Sequence, residues 1–120
     1  MNRIIISICM VLVIAACSSG TPKMSMEQCN KAMQKFNKKL PLGNKQSYIY
    51  ASICHDGPII HYLLKANTSA PKNQRNILVN MNCDTSRNLL EVIVGMRYTY
   101  YDESSGKKIA EYNLSIDDCN

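Results

Sequence analysis

The first 16 residues of this chain determine the compartment in which the rest of it folds. Asn2 and Arg3 precede an apolar run over residues 4–14, and two alanines follow the run. About a dozen apolar residues are too few to cross a bilayer as a helix, whereas a short basic start, an apolar run and small residues are typical of a secretory signal. The mature chain is therefore expected to fold outside the cytoplasm, where disulfides form.

Cys17 follows the signal directly, in the sequence Ile14-Ala15-Ala16-Cys17. This tetrad resembles the lipobox of bacterial lipoproteins, in which the cysteine thiol receives a diacylglycerol, the chain is cut before it and the new amino terminus is acylated. Two or three acyl chains make a lasting anchor, because each buried methylene contributes ~0.8 kcal/mol. By resemblance to enterobacterial sorting rules, Ser18 favours the outer membrane, with the domain facing the periplasm. The alternative is an ordinary signal peptide cut elsewhere.

Cleavage before Cys17 leaves 104 of the 120 residues, which is the size of one domain. We predict a signal peptide over residues 1–16, a lipidated tether over 17–24 and a single domain over 25–120. The mature charge is +4, from 13 basic and 9 acidic residues. A lipid anchor outside the cytoplasm argues against nucleic acid as the partner, and lysines facing anionic lipid head groups are a more natural use of this charge.

Four cysteines remain when Cys9 leaves with the signal and Cys17 is lipidated. An even number in an oxidising compartment predicts two disulfides, and four cysteines allow three pairings. The gaps between them are 25, 29 and 36 residues, without the close pairs that zinc sites use, so we expect no metal. The four are Cys29, Cys54, Cys83 and Cys119.

Two helices are predicted from apolar spacing. The first begins at Ser25, which has capping-box spacing with Gln28, and it ends before Pro41. Its apolar stripe consists of Cys29, Met33, Phe36 and Leu40. The second spans residues 71–82. Residues 89–94 predict a short strand, because three consecutive β-branched residues end it; a short helix after Ser86 is the alternative.

Two hairpins are predicted as well. Residues 47–54 and 59–66 flank an Asp-Gly turn, and residues 96–101 and 107–116 flank a loop that ends in Gly106. A symmetric first turn places Ile49, Ala51 and Ile53 on the core face with Ile60, Tyr62 and Leu64. The order of elements predicts an α+β fold, in which two or more helices pack on one face of an antiparallel sheet of four or five strands.

The order and several residues are similar to the type II secretion pilotins of the AspS kind, which are small outer-membrane lipoproteins. The segments that carry the resemblance are Lys39-Leu40-Pro41-Leu42, Cys83-Asp84, Leu89-Leu90-Glu91-Val92, Gly95, residues 98–102, Ser105-Gly106 and Asp118-Cys119. The match is more specific than a shared order of elements, because five residues also share the family's spacing: Cys83, Gly95, Asp102, Gly106 and Cys119.

The resemblance implies a disulfide pairing and a partner. Cys83 and Cys119 correspond to the family disulfide, which leaves Cys29 and Cys54 for a second bond. The symmetric register puts Cys54 on the outer face and Cys29 on the inner stripe of the first helix, so this bond requires the strand end to twist. Pilotins bind a C-terminal segment of an outer-membrane secretin subunit and carry the subunit to the outer membrane for channel assembly.

The residues do not predict an enzyme, a cofactor or a small-molecule substrate. Cys54 ends the first strand of the hairpin and His55 begins the predicted turn; neighbours along a strand point to opposite faces, and Cys54 is expected to be oxidised. Adjacent Asp117 and Asp118 diverge in the same way. The alternative to a pilotin is a periplasmic inhibitor, immunity or exclusion lipoprotein, which usually presents a protruding loop to its target.

The partner is expected on the face of the sheet that the helices leave open. That face collects Tyr48, Tyr50, His61, Leu63, Arg97, Tyr101 and Ile109. Tyrosine and arginine are enriched at the hot spots of protein interfaces. A sheet face with scattered tyrosines is the plain alternative, and a groove between the helices near Met33, Phe36 and Met81 is the competing site.

Replacing the lipid acceptor tests the anchor. We expect Cys17→Ala to give a soluble periplasmic protein or an uncut precursor, because no thiol remains to receive the diacylglycerol. Membrane fractionation and metabolic labelling with a fatty acid measure the change. Unchanged fractionation together with undiminished lipid label would contradict the assignment of Cys17.

Overall fold

The computed structural model describes residues 22–55, 57–67 and 73–120. The predicted signal peptide, Cys17, most of the tether, Asp56 and Pro71 lie outside these ranges. The helices are α1 (Met26–Asn37), α2 (Gln74–Thr85), α3 (Arg87–Val92) and a 3₁₀ turn (Ile116–Cys119). The strands are β1 (Leu42–Gly43), β2 (Ser47–His55), β3 (Ile59–Ala66), β4 (Gly95–Asp102) and β5 (Lys108–Leu114). Within the described ranges, no helix is long and apolar enough to cross a membrane.

The five strands form one mixed sheet in the order β1-β2-β3-β4-β5. The predicted α+β class is confirmed, and both predicted hairpins are present as β2–β3 and β4–β5. The strands β3 and β4 pair in parallel, whereas the other three pairs are antiparallel. Parallel neighbours need a crossover connection, and α2 and α3 supply it by returning the chain to the end of the sheet where β3 begins.

The core lies between the helices and one face of the sheet. The strand β3 alternates strictly, so that Ile60, Tyr62, Leu64 and Ala66 are buried on this face. Helix α1 packs on the β2 side, where the Phe36 ring meets the Tyr62 ring edge-on with centroids 5.4 Å apart. The remaining buried apolar residues are Cys29, Met33, Leu78, Val79, Leu90, Ile93, Met96, Tyr98, Tyr100 and Leu114.

The capping box at the start of α1 is present. Gln28 N–H donates to Ser25 Oγ at 3.1 Å, and Ser25 N–H donates to Gln28 Oε1 at 2.8 Å. These two bonds satisfy donors that a helix start otherwise leaves free. The cap therefore sets the rotation with which Cys29 and Met33 enter the core.

The prediction of a strand over residues 89–94 is wrong. Residues Arg87–Val92 form a helix, and Ile93 directly after it has extended backbone angles. Leu90 inside the helix and Ile93 after its end are both fully buried. The core contact of Leu90 thus outweighs the preference of Val92 for strands.

The register predicted for the first hairpin is correct only from Ser47 to Ile49, the end away from the turn. Ile49 pairs with Leu64 as predicted, but Ala51 pairs with Leu63, because Tyr50 is an extra residue in β2. Such a β-bulge shifts the following pairs by one residue and exchanges their faces. The prediction that Ala51 and Ile53 lie on the core face is therefore wrong, and Ile53 is 45% exposed.

The bulge turns Ser52 and Cys54 toward the helices. Ser52 is buried, and its hydroxyl donates to Asn37 Oδ1 at 2.7 Å, which ties the end of α1 to β2. Cys54 forms a disulfide with Cys29 of α1 without the twist that the symmetric register required. The second disulfide joins Cys83 to Cys119, so the pairing is the one that the resemblance implied.

Removing the first disulfide tests its contribution to stability. We expect Cys29→Ala with Cys54→Ala to lower the free energy of unfolding by about 3 kcal/mol, because the bond closes a loop between residues 25 apart in sequence. Urea unfolding followed by circular dichroism measures the change.

Non-reducing peptide mapping is the control for that variant. The Cys83–Cys119 peptide must remain linked in the double variant. A loss of less than about 0.5 kcal/mol would mean that the native contacts between α1 and β2 hold the chain without the bond.

Candidate protein-docking face

The sheet face opposite the helices, here called the outer face, carries a regular grid of side chains. The strand registers define three rows that cross the sheet from β2 to β5. The rows are Ile53–His61–Arg97–Asn113, Ala51–Leu63–Thr99–Glu111 and Tyr48–Lys65–Tyr101–Lys108. Aliphatic, aromatic and cationic groups are therefore interleaved on one surface.

One corner of the outer face is aromatic. Tyr50 stands out at the bulge with 37% of its surface exposed, and Lys65 Nζ lies 4.9 Å from the centre of its ring. Burial, with a smaller contribution from Tyr101, raises the pKa of Tyr50. The Tyr48 hydroxyl donates to Glu103 Oε2 at 3.0 Å, and this bond is the main reason that the Tyr48 pKa is also raised. Both phenols are therefore neutral at physiological pH.

A chain of hydrogen bonds, here called the histidine relay, crosses four strands of the outer face. His55 Nε2 lies 2.8 Å from His61 Nδ1, and His61 Nε2 lies 2.7 Å from Thr99 Oγ1. The Thr99 hydroxyl donates to Glu111 Oε1 at 3.1 Å. The relay thus joins one side chain from each of β2, β3, β4 and β5.

The carboxylate of Glu111 fixes the direction of the relay. Its pKa is lowered, chiefly by the bond from Thr99, so it is ionised and can only accept. Because Thr99 gives its proton to Glu111, its oxygen accepts from His61 Nε2–H. A neutral His61 then has a lone pair on Nδ1, which accepts from His55 Nε2–H.

The surroundings of His61 favour this neutral form. Burial lowers the pKa of His61, and the neighbouring His55 and Arg97 lower it further, whereas Glu111 acts in the opposite direction. The Arg97 guanidinium is directed toward β5, where its Nε donates to Asn113 Oδ1 at 2.9 Å. The polar half of the outer face is therefore held in place by side-chain hydrogen bonds.

Most of the predicted partner residues lie together on the outer face. These are Tyr48, Tyr50, His61, Leu63, Arg97 and Tyr101. Ile109 does not join them, because β5 has an irregularity at which Tyr101 pairs with Lys108 and Ile109 packs against the core. In the competing groove, Met33 is buried and Met81 is 47% exposed, so the two do not form one open surface.

Sequence reasoning missed Ile53 and His55 as members of this face. Symmetric pairing predicts Ile53 on the core face, because nothing in the sequence marks the bulge, and it predicts His55 in the turn. The connection of Thr99 and Glu111 to His61 depends on pairing between three strands, which no pattern in a single strand contains.

The described residues offer little for catalysis. Cys54 is in a disulfide, so it supplies no thiol beside His55. No group of three or more histidine, cysteine or acidic side chains in ranges 22–55, 57–67 and 73–120 could hold a metal ion. A cavity of about 250 Å³ at the end of β4 and β5 includes Asp118, whose carboxylate is bound to Arg75 at 2.9 Å.

Comparison with solved structures identifies the fold. The chain superposes on the pilotin EpsS of the Vibrio vulnificus type 2 secretion system with a TM-score of 0.67 and 17% identity, over 79% of this chain and 91% of that one. It superposes on the type II secretion pilotin AspS of Vibrio cholerae with a TM-score of 0.63 and 19% identity, over 78% and 91%. The chain has the fold of the AspS-type pilotins.

The same fold occurs in a protein described as secreted, from Pseudomonas aeruginosa, with a TM-score of 0.62 and 15% identity over 84% of this chain and all of that one. No protein-family model and no curated protein sequence matches the chain. The likeness to the two pilotins therefore establishes the fold of the chain.

The residues that carried the pilotin resemblance serve the fold. A side chain at Gly95 would meet the Leu114 carbonyl at 2.9 Å, so this glycine lets β4 and β5 approach closely. Gly106, with φ of 75°, donates to the Asp102 carbonyl and closes the β4–β5 turn. Cys83 and Cys119 tie the end of the chain to α2. These four residues serve the fold, whereas the matching segment 98–102 also contributes Thr99 and Tyr101 to the outer face.

The relay predicts a pH dependence of stability. Because the folded-state pKa of His61 lies below its ordinary value of 6.5, the unfolded chain binds more protons as the pH falls through that value. The folded state is then disfavoured, so stability present above about pH 6.5 is lost below it. We expect the free energy of unfolding to fall between about pH 7.5 and about pH 5.5 by more in the wild type than in His61→Gln.

Urea unfolding of the two proteins at both pH values measures this difference. Carboxylates contribute equally to both proteins in that range, so the difference isolates the histidine. An equal pH dependence in wild type and His61→Gln would show that the relay does not favour the neutral imidazole.

Proposed function

We propose that this protein is a type II secretion pilotin: an outer-membrane lipoprotein that binds the C-terminal segment of a secretin subunit and carries it to the outer membrane for channel assembly. The observation that carries the proposal is the superposition on two pilotins over 91% of each. The lipobox-like tetrad that ends in Cys17 supports it independently, because it supplies the anchor that such a task needs.

The start of the domain supports a close attachment to the membrane. Met24 N–H donates to the Val92 carbonyl at 2.6 Å, and Lys23 Nζ donates to the Glu91 carbonyl at 3.2 Å. These bonds hold the chain on the end of α3 before α1 begins. With Cys17 lipidated, about six residues would separate the lipid from Lys23, and a chain of that length spans at most about 20 Å. The domain would therefore stay near the bilayer that receives the secretin.

The outer face suits a segment that folds into an amphipathic helix on binding. Ile53, Leu63 and the rings of Tyr50 and Tyr101 offer apolar and aromatic contacts. Arg97 and its neighbours add polar groups beside them. A helix can lay its apolar side on such a surface and place its polar side toward solvent, as other helix-binding proteins do.

The rigidity of the face favours binding. Thr99 is 1% exposed and is bonded on both sides, to His61 and to Glu111. Arg97 is held by one bond, from its Nε–H to Asn113 Oδ1. Side chains that are already ordered lose little conformational freedom when a partner docks, so more of the contact free energy appears as affinity.

The inhibitor alternative gains no support from the β4–β5 loop. The β4–β5 loop, Glu103 to Lys107, is a tight turn in which the Asp102 carboxylate accepts from Ser105 N–H at 2.7 Å. An inhibitor of an enzyme usually inserts a projecting segment, and this turn is folded back on its own strands.

Binding of a secretin peptide tests the docking face. The peptide is the C-terminal segment of the secretin encoded in the same genome, with fluorescence anisotropy as the readout. We expect Leu63→Ser and Tyr101→Ala to weaken binding at least tenfold, about 1.4 kcal/mol, because each removes apolar contact from the centre of the outer face.

Ile77→Ser and Met81→Ser are the matched controls. Both side chains are exposed apolar residues, at 45% and 47%, but they lie on α2. We expect both controls to bind within about threefold of the wild type. The reverse pattern would move the site to the helical side, and a wild type that binds no secretin peptide would overturn the pilotin proposal itself.

A further inference from the structure

The two histidines of the chain face each other on the outer face, and the sequence contains no others. His55 stands at the end of β2 and His61 on β3, with ring centroids 5.0 Å apart and planes tilted by 39°. Both side chains are half-buried, so ions in solvent can reach them. His61 also belongs to the proposed docking face, whereas His55 lies at its border.

The spacing of the two imidazoles matches that of ligands around a metal ion. His55 Nε2 and His61 Nδ1 are 2.8 Å apart. Zinc–imidazole bonds are about 2.0–2.1 Å long, so two nitrogens in neighbouring positions around such an ion lie about 2.9–3.4 Å apart. To bind one ion, both rings must turn by roughly 35–45°, so that the two nitrogens converge on the metal and no longer point at each other.

The relay supplies the support that metal-binding histidines usually have. A ligating imidazole commonly donates its other N–H to an oxygen, which fixes the tautomer and the ring orientation. Here Thr99 Oγ1 accepts from His61 Nε2–H, and Glu111 holds Thr99 in turn. The lone pair of His61 is thereby fixed on Nδ1, the atom that faces His55.

We propose that His55 and His61 form a two-ligand site for one divalent transition-metal ion of the class that prefers imidazole: Cu²⁺, Ni²⁺ or Zn²⁺. The ion binds His55 Nε2 and His61 Nδ1, and waters complete its coordination. The proton of His55 moves through solvent from Nε2 to Nδ1, so both imidazoles stay neutral and no proton is released. Imidazole nitrogen suits these ions, whereas Mg²⁺ and Ca²⁺ prefer oxygen.

Neighbouring charges tune the site in opposite directions. Arg97 pairs with His61 across β3 and β4, and its charge disfavours a cation there. The Glu111 carboxylate favours a cation, although Lys108 Nζ lies 3.6 Å from it. With only two protein ligands, the site should bind more weakly than a four-ligand structural zinc site.

Titration of the processed protein, purified without a histidine tag, with each metal chloride tests the proposal by isothermal calorimetry. Copper electron paramagnetic resonance adds a count of nitrogen ligands, and two are expected. His55→Gln and His61→Gln should each weaken binding at least about tenfold. Arg97→Gln should strengthen binding, because it removes the opposing charge while leaving both ligands in place.

Two results would overturn the site. One is a wild type that binds none of the three ions at about 100 µM. The other is unchanged affinity in both histidine variants, which would place the ion elsewhere. If His61→Gln fails to fold, His55→Gln still decides the matter, because His55 lies at the end of β2 and a single ligand cannot chelate. Failure of this site leaves the pilotin proposal untouched, since the two are measured with different ligands.

Discussion

The extra residue at Tyr50 determines which side chains of β2 face the helices and which face outward. Beyond the bulge, Ser52 and Cys54 point inward, where Cys54 bonds Cys29 and Ser52 bonds the end of α1. The same shift turns His55 outward to meet His61. Without it, the strand would place a disulfide cysteine on the open face and an isoleucine against the helix. The attachment of α1 and the histidine relay therefore depend on one irregularity in one strand.

Local patterns explain why much of the fold was predictable. The capping box at Ser25 and the strict alternation along β3 are set by neighbours in sequence, and the structure follows both. The bulge has no such signature, because Tyr50 is an ordinary strand residue. Its position as the extra residue of β2 goes with the contacts that the following residues make with Cys29 and Asn37 of α1. The parallel pairing of β3 with β4 is equally non-local, since it depends on how α2 and α3 pack.

The candidate site was predictable to the same extent and for the same reason. Arg97, His61 and Leu63 lie on strands without a shift at those positions, so alternation alone places them on the outer face. Ile109 was placed wrongly because a second irregularity, in β5, turns it to the core. The histidine relay needs the registers of three strand pairs at once. No single-strand pattern contains that information, so only the structure reveals it.

The two glycines that carry the pilotin resemblance and the apolar side chains of the outer face serve separate purposes. Gly95 allows β4 and β5 to approach closely, and Gly106 takes the positive φ that closes the turn between them. Both are requirements of the backbone, whatever the partner. Ile53 and Leu63 lie outside the segments that resemble pilotins and make no such demand on the backbone, so they can differ between chains of this fold. A pilotin fold at 17–19% identity can therefore carry different outer faces. The fold presents the outer face, and the chemistry of that face is set by side chains that the fold does not dictate.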